Sequence, residues 1–181
     1  MKLKGRAELG RALEIQEMPD FEWELVAAIN RFFEASGMRG LAYRLKQSRY
    51  TPQVVDLLVD SPDPAYYLAI ECKSIDARKA KTLYFTQHFS AAGGVHQIER
   101  IDQFIDRTGR RGFLAVELRR GPGRAKTAHL LPWHAAMEAF RSESPGIPVE
   151  RIEAIAPLGR RDGDYLIEAG DLDQEIQGQS I

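Results

Sequence analysis

The sequence predicts an α/β protein with a mixed central β-sheet flanked by helices, and three observations predict it. An amphipathic helical stripe opens the core at about residue 20. Short apolar, β-branched runs follow, separated by turn formers. In the middle of the chain a strand, a helix and a strand succeed one another as a βαβ unit, which places two strands parallel in one sheet.

Along residues 20–36, Leu25, Ile29, Phe32 and Phe33 fall at i, i+4, i+7 and i+8, one face of a helix. Asp20 stands where an N-cap belongs and Gly37 follows the end. Met38 to Lys46 reads as a strand. Val54 to Val59 is a buried strand, Ser61-Pro62-Asp63-Pro64 a turn, and Tyr66 to Lys73 the next strand. Residues 74–94 read as a long loop containing a short strand. Val95 to Arg107 is a helix with Ile98, Ile101, Phe104 and Ile105 on one face. Phe113 to Leu118 and Ala128 to Leu131 are strands, and Trp133 to Arg141 is a short helix. From Ser142 the chain turns acidic and loop-rich, with one strand expected at Tyr165 to Glu168. We therefore expect a domain over 1–141, its core starting at about residue 20, and an acidic C-terminal extension over 142–181.

Composition excludes several classes. Apolar residues make up 44% and charged residues 28% of the 181 positions, as in an ordinary globular chain. The single cysteine, Cys72, allows no internal disulfide, and no Cys/His set has zinc spacing. A reducing, cytoplasmic setting is the expectation. The first twenty residues lack the apolar segment of a signal peptide, and no apolar run approaches the roughly 18 residues that span a membrane. The net charge of −1 hides an asymmetry. Residues 51–71 carry four acidic and no basic side chains, whereas residues 72–130 carry twelve basic and five acidic ones. A metal site beside a phosphate-binding surface has this pattern, and so does chance asymmetry on a solvated surface.

Chemistry concentrates on one strand pair. Glu71 and Lys73 lie two apart, so they share a face, with Ile70 and Cys72 on the other. Charged groups in an apolar strand are costly unless paired or bound to a metal. If 54–59 and 66–73 fold antiparallel about the turn, Asp56 lies opposite Glu71, roughly 4.5–5.5 Å away. Two carboxylates that close repel. A divalent cation relieves the repulsion, and hard oxygen donors suit Mg²⁺, with Mn²⁺ as a substitute. Lys73 would then contact the attacked phosphate or position water. Alone, Glu71-Cys72-Lys73 reads equally as a salt bridge at a sheet end; the matched Asp56 is what raises the chemical reading beside it.

Gln53-Val54-Val55-Asp56, fourteen residues and then Glu71-Cys72-Lys73 resemble the PD-(D/E)xK nuclease superfamily, and within it the Holliday junction resolvases of the archaeal and bacterial RecU types. Phe21-Glu22 resembles their helical glutamate motif, and His96-Gln97 their His-Gln pair. The basic, aromatic stretch Arg78 to Phe89 is similar to the variable segment after their E-x-K strand. The resemblance spans about residues 20–141. Val55 stands where the proline that names the superfamily would be, and 142–181 has no counterpart. The resemblance implies a restriction-endonuclease-like core and a homodimeric, Mg²⁺-dependent endonuclease acting on four-way DNA junctions. Metal would be held by Asp56, Glu71 and Glu22, with Lys73 and Gln97 completing the catalytic set. Arg44, Lys46, Arg49, Arg78, Lys79 and Lys81 are the candidate DNA contacts, with solvated surface as their plainer reading. Two alternatives stand beside this: a non-catalytic DNA-binding module on the same scaffold, and a restriction- or repair-type endonuclease on duplex DNA.

Overall fold

The computed structural model describes residues 20–45 and 53–172. The expected helix forms as α1 (Phe21–Ser36) and buries Leu25, Ile29 and Phe33. Asp20 starts it without the side-chain cap: its carbonyl accepts from the Glu24 N–H, and its carboxylate turns to Arg44 instead. Next come β1 (Leu41–Arg44), β2 (Leu57–Asp60) and β3 (Leu68–Asp76). The turn before β3 carries a 3-10 turn at Pro64–Tyr66, where the Asp63 carboxylate accepts from the Ala65 N–H.

The stretch expected as a long loop is more ordered than that. It holds β4 (Thr82–Tyr84), α2 (Phe85–His88) and β5 (Ala91–Ala92). β5 makes a hairpin with β6 (Val95–His96) through Gly93 and Gly94, both at positive φ, as a tight two-residue turn demands. The expected helix therefore starts two residues late, as α3 (Gln97–Thr108), with His96 capping it: its ring accepts from the Ile98 N–H and Glu99 returns the bond to the His96 N–H. β7 (Arg111–Arg119), β8 (Thr127–Pro132) and α4 (Trp133–Arg141) follow as the periodicity predicts.

The central sheet has the order β1-β2-β3-β7-β8. β3 and β7 are parallel, joined through α3; every other neighbouring pair is antiparallel. The expected mixed sheet between helices is therefore what the chain forms. α1 packs on one face, where Leu25, Ile29 and Phe33 meet Ile70, Cys72, Phe113 and Ala115. α3 and α4 pack on the other, where Ile98, Ile101 and Met137 meet Ala69, Leu114 and Val116.

Residue 141 is not a structural boundary, contrary to the expected extension. The chain continues through β9 (Gly146–Pro148), α5 (Val149–Glu153), β10 (Gly159–Arg161), β11 (Asp164–Leu166) and α6 (Ala169–Leu172). Ile147, Val149 and Ile152 join the α3-side core, and Leu158, Tyr165, Ile167 and Leu172 the α1-side core. Among the described residues of this segment the acids are exposed, apart from the half-buried Asp171. β9 pairs antiparallel with β4. Their backbones approach so closely that a Cβ at Gly146 would stand 2.2 Å from the Leu83 carbonyl oxygen, so only glycine fits there.

A buried polar network fastens the α1 side. Glu117 of β7 is fully buried beside Ser74 of β3. Its carboxylate accepts from Ser74 Oγ at 2.8 Å and Tyr165 OH at 3.2 Å and pairs with Lys126 Nζ at 2.7 Å; Lys126 also reaches Glu24 of α1 at 2.6 Å. Buried charge is tolerated here because it is paired and hydrogen-bonded.

Candidate functional site

Glu71 is the centre. It sits on β3, 1% exposed, with its side chain on the α3 face. Its Oε1 accepts from Lys73 Nζ at 2.5 Å and from Gln97 Nε2 at 2.9 Å, whereas its Oε2 is buried without any hydrogen-bond partner. Gln97 reaches Glu71 because it opens α3; its own Oε1 accepts from the Ser90 N–H at 3.1 Å, which fixes which end of the amide faces the carboxylate. Lys73 lies over the Phe89 ring at 4.8 Å, so its ammonium is held by a carboxylate and an aromatic face together.

Asp56 stands where the hairpin geometry puts it. β2 and β3 pair Leu57 with Ile70 and Val59 with Leu68, and one further step opposes Asp56 to Glu71. Asp56 itself lies in a bend just before β2, not inside the strand. Its carboxylate replaces a backbone partner: Oδ2 accepts from the Cys72 N–H at 2.8 Å, and Oδ1 accepts from Gln53 Nε2 at 2.7 Å. Gln53 was visible in the motif but not recognised as a brace for Asp56.

Glu22 enters from α1, on the opposite side of the sheet. The Arg44 guanidinium grips its carboxylate, pairs with Asp20 at 3.3 Å and lies 5.0 Å from the Trp23 ring centre. Arg44 is therefore engaged by acids at the site's edge and is not a free phosphate contact.

The electrostatics tie the three acids together. Burial and the Asp56 charge push the Glu71 carboxyl from its ordinary 4.5 up to about 7, against the pull of Lys73. Burial raises Asp56 as well, opposed by the Cys72 N–H and Lys73. Glu22 is raised by burial and then by Asp56. His88 of α2 is lowered by burial and by the Lys73 charge, which places its imidazole in the same field. Nothing in the sequence singled it out.

The donor set suits a hard cation only in part. The orphaned Glu71 Oε2 and the opposed Asp56 carboxylate are two oxygen donors that repel when both are ionised, and either a proton on Glu71 or a cation between them relieves the repulsion. Among the described residues no three Asp, Glu, His or Cys side chains are grouped as a metal cage. Mg²⁺ does not require one: it commonly takes one or two carboxylates and completes its shell with water and substrate phosphate.

Of the other expected DNA contacts, Lys46 and Arg49 lie outside the described residues. Arg78 is exposed and chelates Asp76 through Nε at 2.8 Å and Nη2 at 2.6 Å, which holds the Asp76 carboxyl down at about 2. Lys79 and Lys81 are exposed just beyond β3. Among the described residues no helix is long and apolar enough to cross a membrane.

No family model matches the sequence, and no curated protein is significantly similar to it. Among solved structures, the chain has a distant likeness to the Holliday junction resolvase Hjc of Archaeoglobus fulgidus, an archaeal hyperthermophile, at 19% identity and a TM-score of 0.36 over 88% of this chain and 97% of that one.

Proposed function

We infer that the chain is a Mg²⁺-dependent DNA endonuclease, with four-way junctions as its preferred substrate. One observation carries the reading: a buried Glu71 carboxylate, its Oε1 fixed by Lys73 and Gln97 and its Oε2 unpartnered, faces the Asp56 carboxylate across a hairpin. A structural salt bridge needs only Lys73. It does not explain a second acid opposite, a third from α1 and an amide oriented from a separate hairpin.

Asp56 and Glu71 would hold the cation, which when bound would polarise the attacked phosphate and lower the pKa of a coordinated water. Gln53 and the Cys72 N–H keep the Asp56 carboxylate oriented, and Ser90 does the same for Gln97. Lys73, its ammonium held over Phe89 and against Glu71, would place a positive charge where charge develops on the phosphate. Glu22 would act through water while Arg44 holds it. The junction preference and a C2 homodimer rest on the resemblance of the Asp56/Glu71/Lys73 and Gln97 motifs; symmetric cutting of a four-way junction requires two sites related by a twofold axis.

The alternative, a DNA-binding module without cleavage, is favoured by one feature: Arg44 already neutralises Glu22, leaving two donors. A single assay separates them. A labelled four-way junction and a linear duplex of the same arm sequence are incubated with the protein in Mg²⁺, in Mn²⁺ and in chelator. The expected result is metal-dependent paired nicking of the junction. Binding without cleavage in either metal refutes the nuclease; equal cutting of the duplex refutes the junction preference.

A further inference from the structure

Helix α3 carries a second pattern besides its core face. Gln97, Arg100, Phe104 and Arg107 follow at i, i+3, i+7 and i+10 and form one stripe, with Thr108 beside its end. The acids Glu99, Asp102 and Asp106 are segregated to the other side, where Asp102 is occupied by Trp133 Nε1 at 3.2 Å and Arg141 at 3.1 Å. The stripe begins at the amide that touches Glu71. At 1.5 Å per residue it runs about 15 Å away from the site.

A groove of about 480 Å³ lies along this stripe. Arg100, Gln103 and Arg107 form its polar rim, and Phe104 and Val54 its apolar floor. Val54 is two residues before Asp56, so the groove is bounded at one wall by the segment that delivers the opposed carboxylate. Arg100 is steered to the site end, donating to the Val95 carbonyl at 2.7 Å and to Ser90 Oγ at 3.3 Å. Arg107 is exposed and has neither a hydrogen-bond nor an ion-pair partner among the described residues.

We propose that this groove is a track for the backbone of the DNA strand leaving the attacked phosphate, with Arg107 as its distal phosphate contact. The proposal rests on the nuclease reading of Asp56 and Glu71 and extends it to how the substrate is held. The occupant follows from the chemistry on the page. Two guanidinium groups with no carboxylate between them select a polyanion, and an apolar floor suits deoxyribose between phosphates. The stripe's length corresponds to about four nucleotides of duplex at 3.4 Å each along the axis. An acidic protein segment is the competing occupant, and it would have no reason to be aligned on Gln97.

The test compares wild type with Arg107→Gln and Arg107→Glu. Arg151→Gln is the control, because it removes the same charge from an exposed site on α5. Binding of a labelled junction is measured without divalent cation at several salt concentrations, and cleavage in Mg²⁺. Each lost phosphate contact lowers the slope of log affinity against log salt by about 0.9. The expected result is that loss for Arg107→Gln, a larger loss of affinity for Arg107→Glu, a raised KM with kcat unchanged, and no change for Arg151→Gln. If wild type binds and cuts DNA while Arg107→Gln keeps the wild-type slope and KM, the track is overturned and the nuclease stands. If Arg151→Gln loses as much slope as Arg107→Gln, the effect is one of net charge and the track is again overturned. If wild type neither binds nor cuts any DNA, both readings fall together.

Discussion

Replacing Glu71 by Gln isolates the electrostatic cost of the site. The substitution keeps the shape of the protonated side chain and leaves an oxygen for Lys73 and Gln97 to donate to. In the wild-type fold the Glu71 carboxyl titrates at about 7, against 4.5 unperturbed, chiefly because it is buried and next because Asp56 faces it. The folded state therefore keeps a proton that the unfolded chain releases. Between pH 4.5 and 7 the native state binds more protons than the unfolded one, so stability falls as pH rises. At 1.36 kcal/mol per pH unit of displacement, the full cost is about 3 kcal/mol once the pH exceeds both values. Glu71→Gln escapes it. Thermal melts of both proteins in chelator, run from pH 4.5 to 8, should show the variant gaining on wild type as pH rises. For a chain of this size the gain is about 6–12 °C. Added Mg²⁺ at pH 8 should restore much of the wild-type deficit and leave Glu71→Gln unmoved. Parallel melting curves across the pH range would refute the buried, cation-seeking carboxylate.

Gln97→Ala should lower cleavage about ten- to a hundredfold, the usual effect of losing a group that orients a metal-binding carboxylate, while Gln97→Glu should be worse because it adds a third charge against Glu71; single-turnover rates decide it. Arg44→Gln strips Glu22 of its cation, so the Glu22 carboxyl rises further and the acidic limb of the pH–rate profile should move to higher pH; an unmoved limb would show that Glu22 is not required in its ionised form. Truncation after Arg141 should prevent folding. It removes Ile147, Val149, Ile152, Leu158, Tyr165, Ile167 and Leu172 from the two cores, at about 1.5–3 kcal/mol each, so the summed loss of about 10–20 kcal/mol equals or exceeds the roughly 5–15 kcal/mol that stabilises a typical domain. A soluble truncated chain with native circular dichroism would contradict the two-core packing.

What the sequence revealed was what local periodicity and pairing arithmetic encode. α1 and α3 were legible because their apolar residues repeat at helical spacing. Asp56 facing Glu71 was legible because a hairpin's register is fixed by its turn. The β5–β6 hairpin was hidden because Ala91 to Val95 has no strand signature beyond Gly93-Gly94, and the helical stripe beginning at Ile98 was extended back over it. β4 was legible only as an unplaced short strand in the loop and β9 was hidden, because each is three residues long and gains its identity only from its partner. The C-terminal segment was misjudged because its buried residues are spaced irregularly between charges, and only the packed structure shows which side each takes. Ser90 and His88 carry no signal of their own, and Gln53, though within the motif, carries none for bracing Asp56. Glu117, by contrast, could have been noticed: it is an acid in an apolar strand, the same anomaly that drew attention to Glu71.

The pairing of β4 with β9 also sets a timetable. The segment that follows the E-x-K strand is anchored by residues synthesised far later, and the two backbones come so close at Gly146 that a Cβ would clash there. Until then α2 and Phe89 lack part of their packing, because the α3-side core that receives Phe85 and Phe89 also needs Ile147 and Ile152, whereas Ser90 is already held to Gln97. Non-local pairings of this kind form after local ones. The expected order is that β3, α3 and β7 assemble first, and the wall that sets Phe89 against Lys73 is completed last. A nascent or refolding chain would thus possess both carboxylates before it possesses the means to use them. Pulse-labelled hydrogen exchange during refolding should show the Phe85 and Val149 amides gaining protection after those of Ile70 and Phe113. Protection gained in the reverse order would sink this sequence of events.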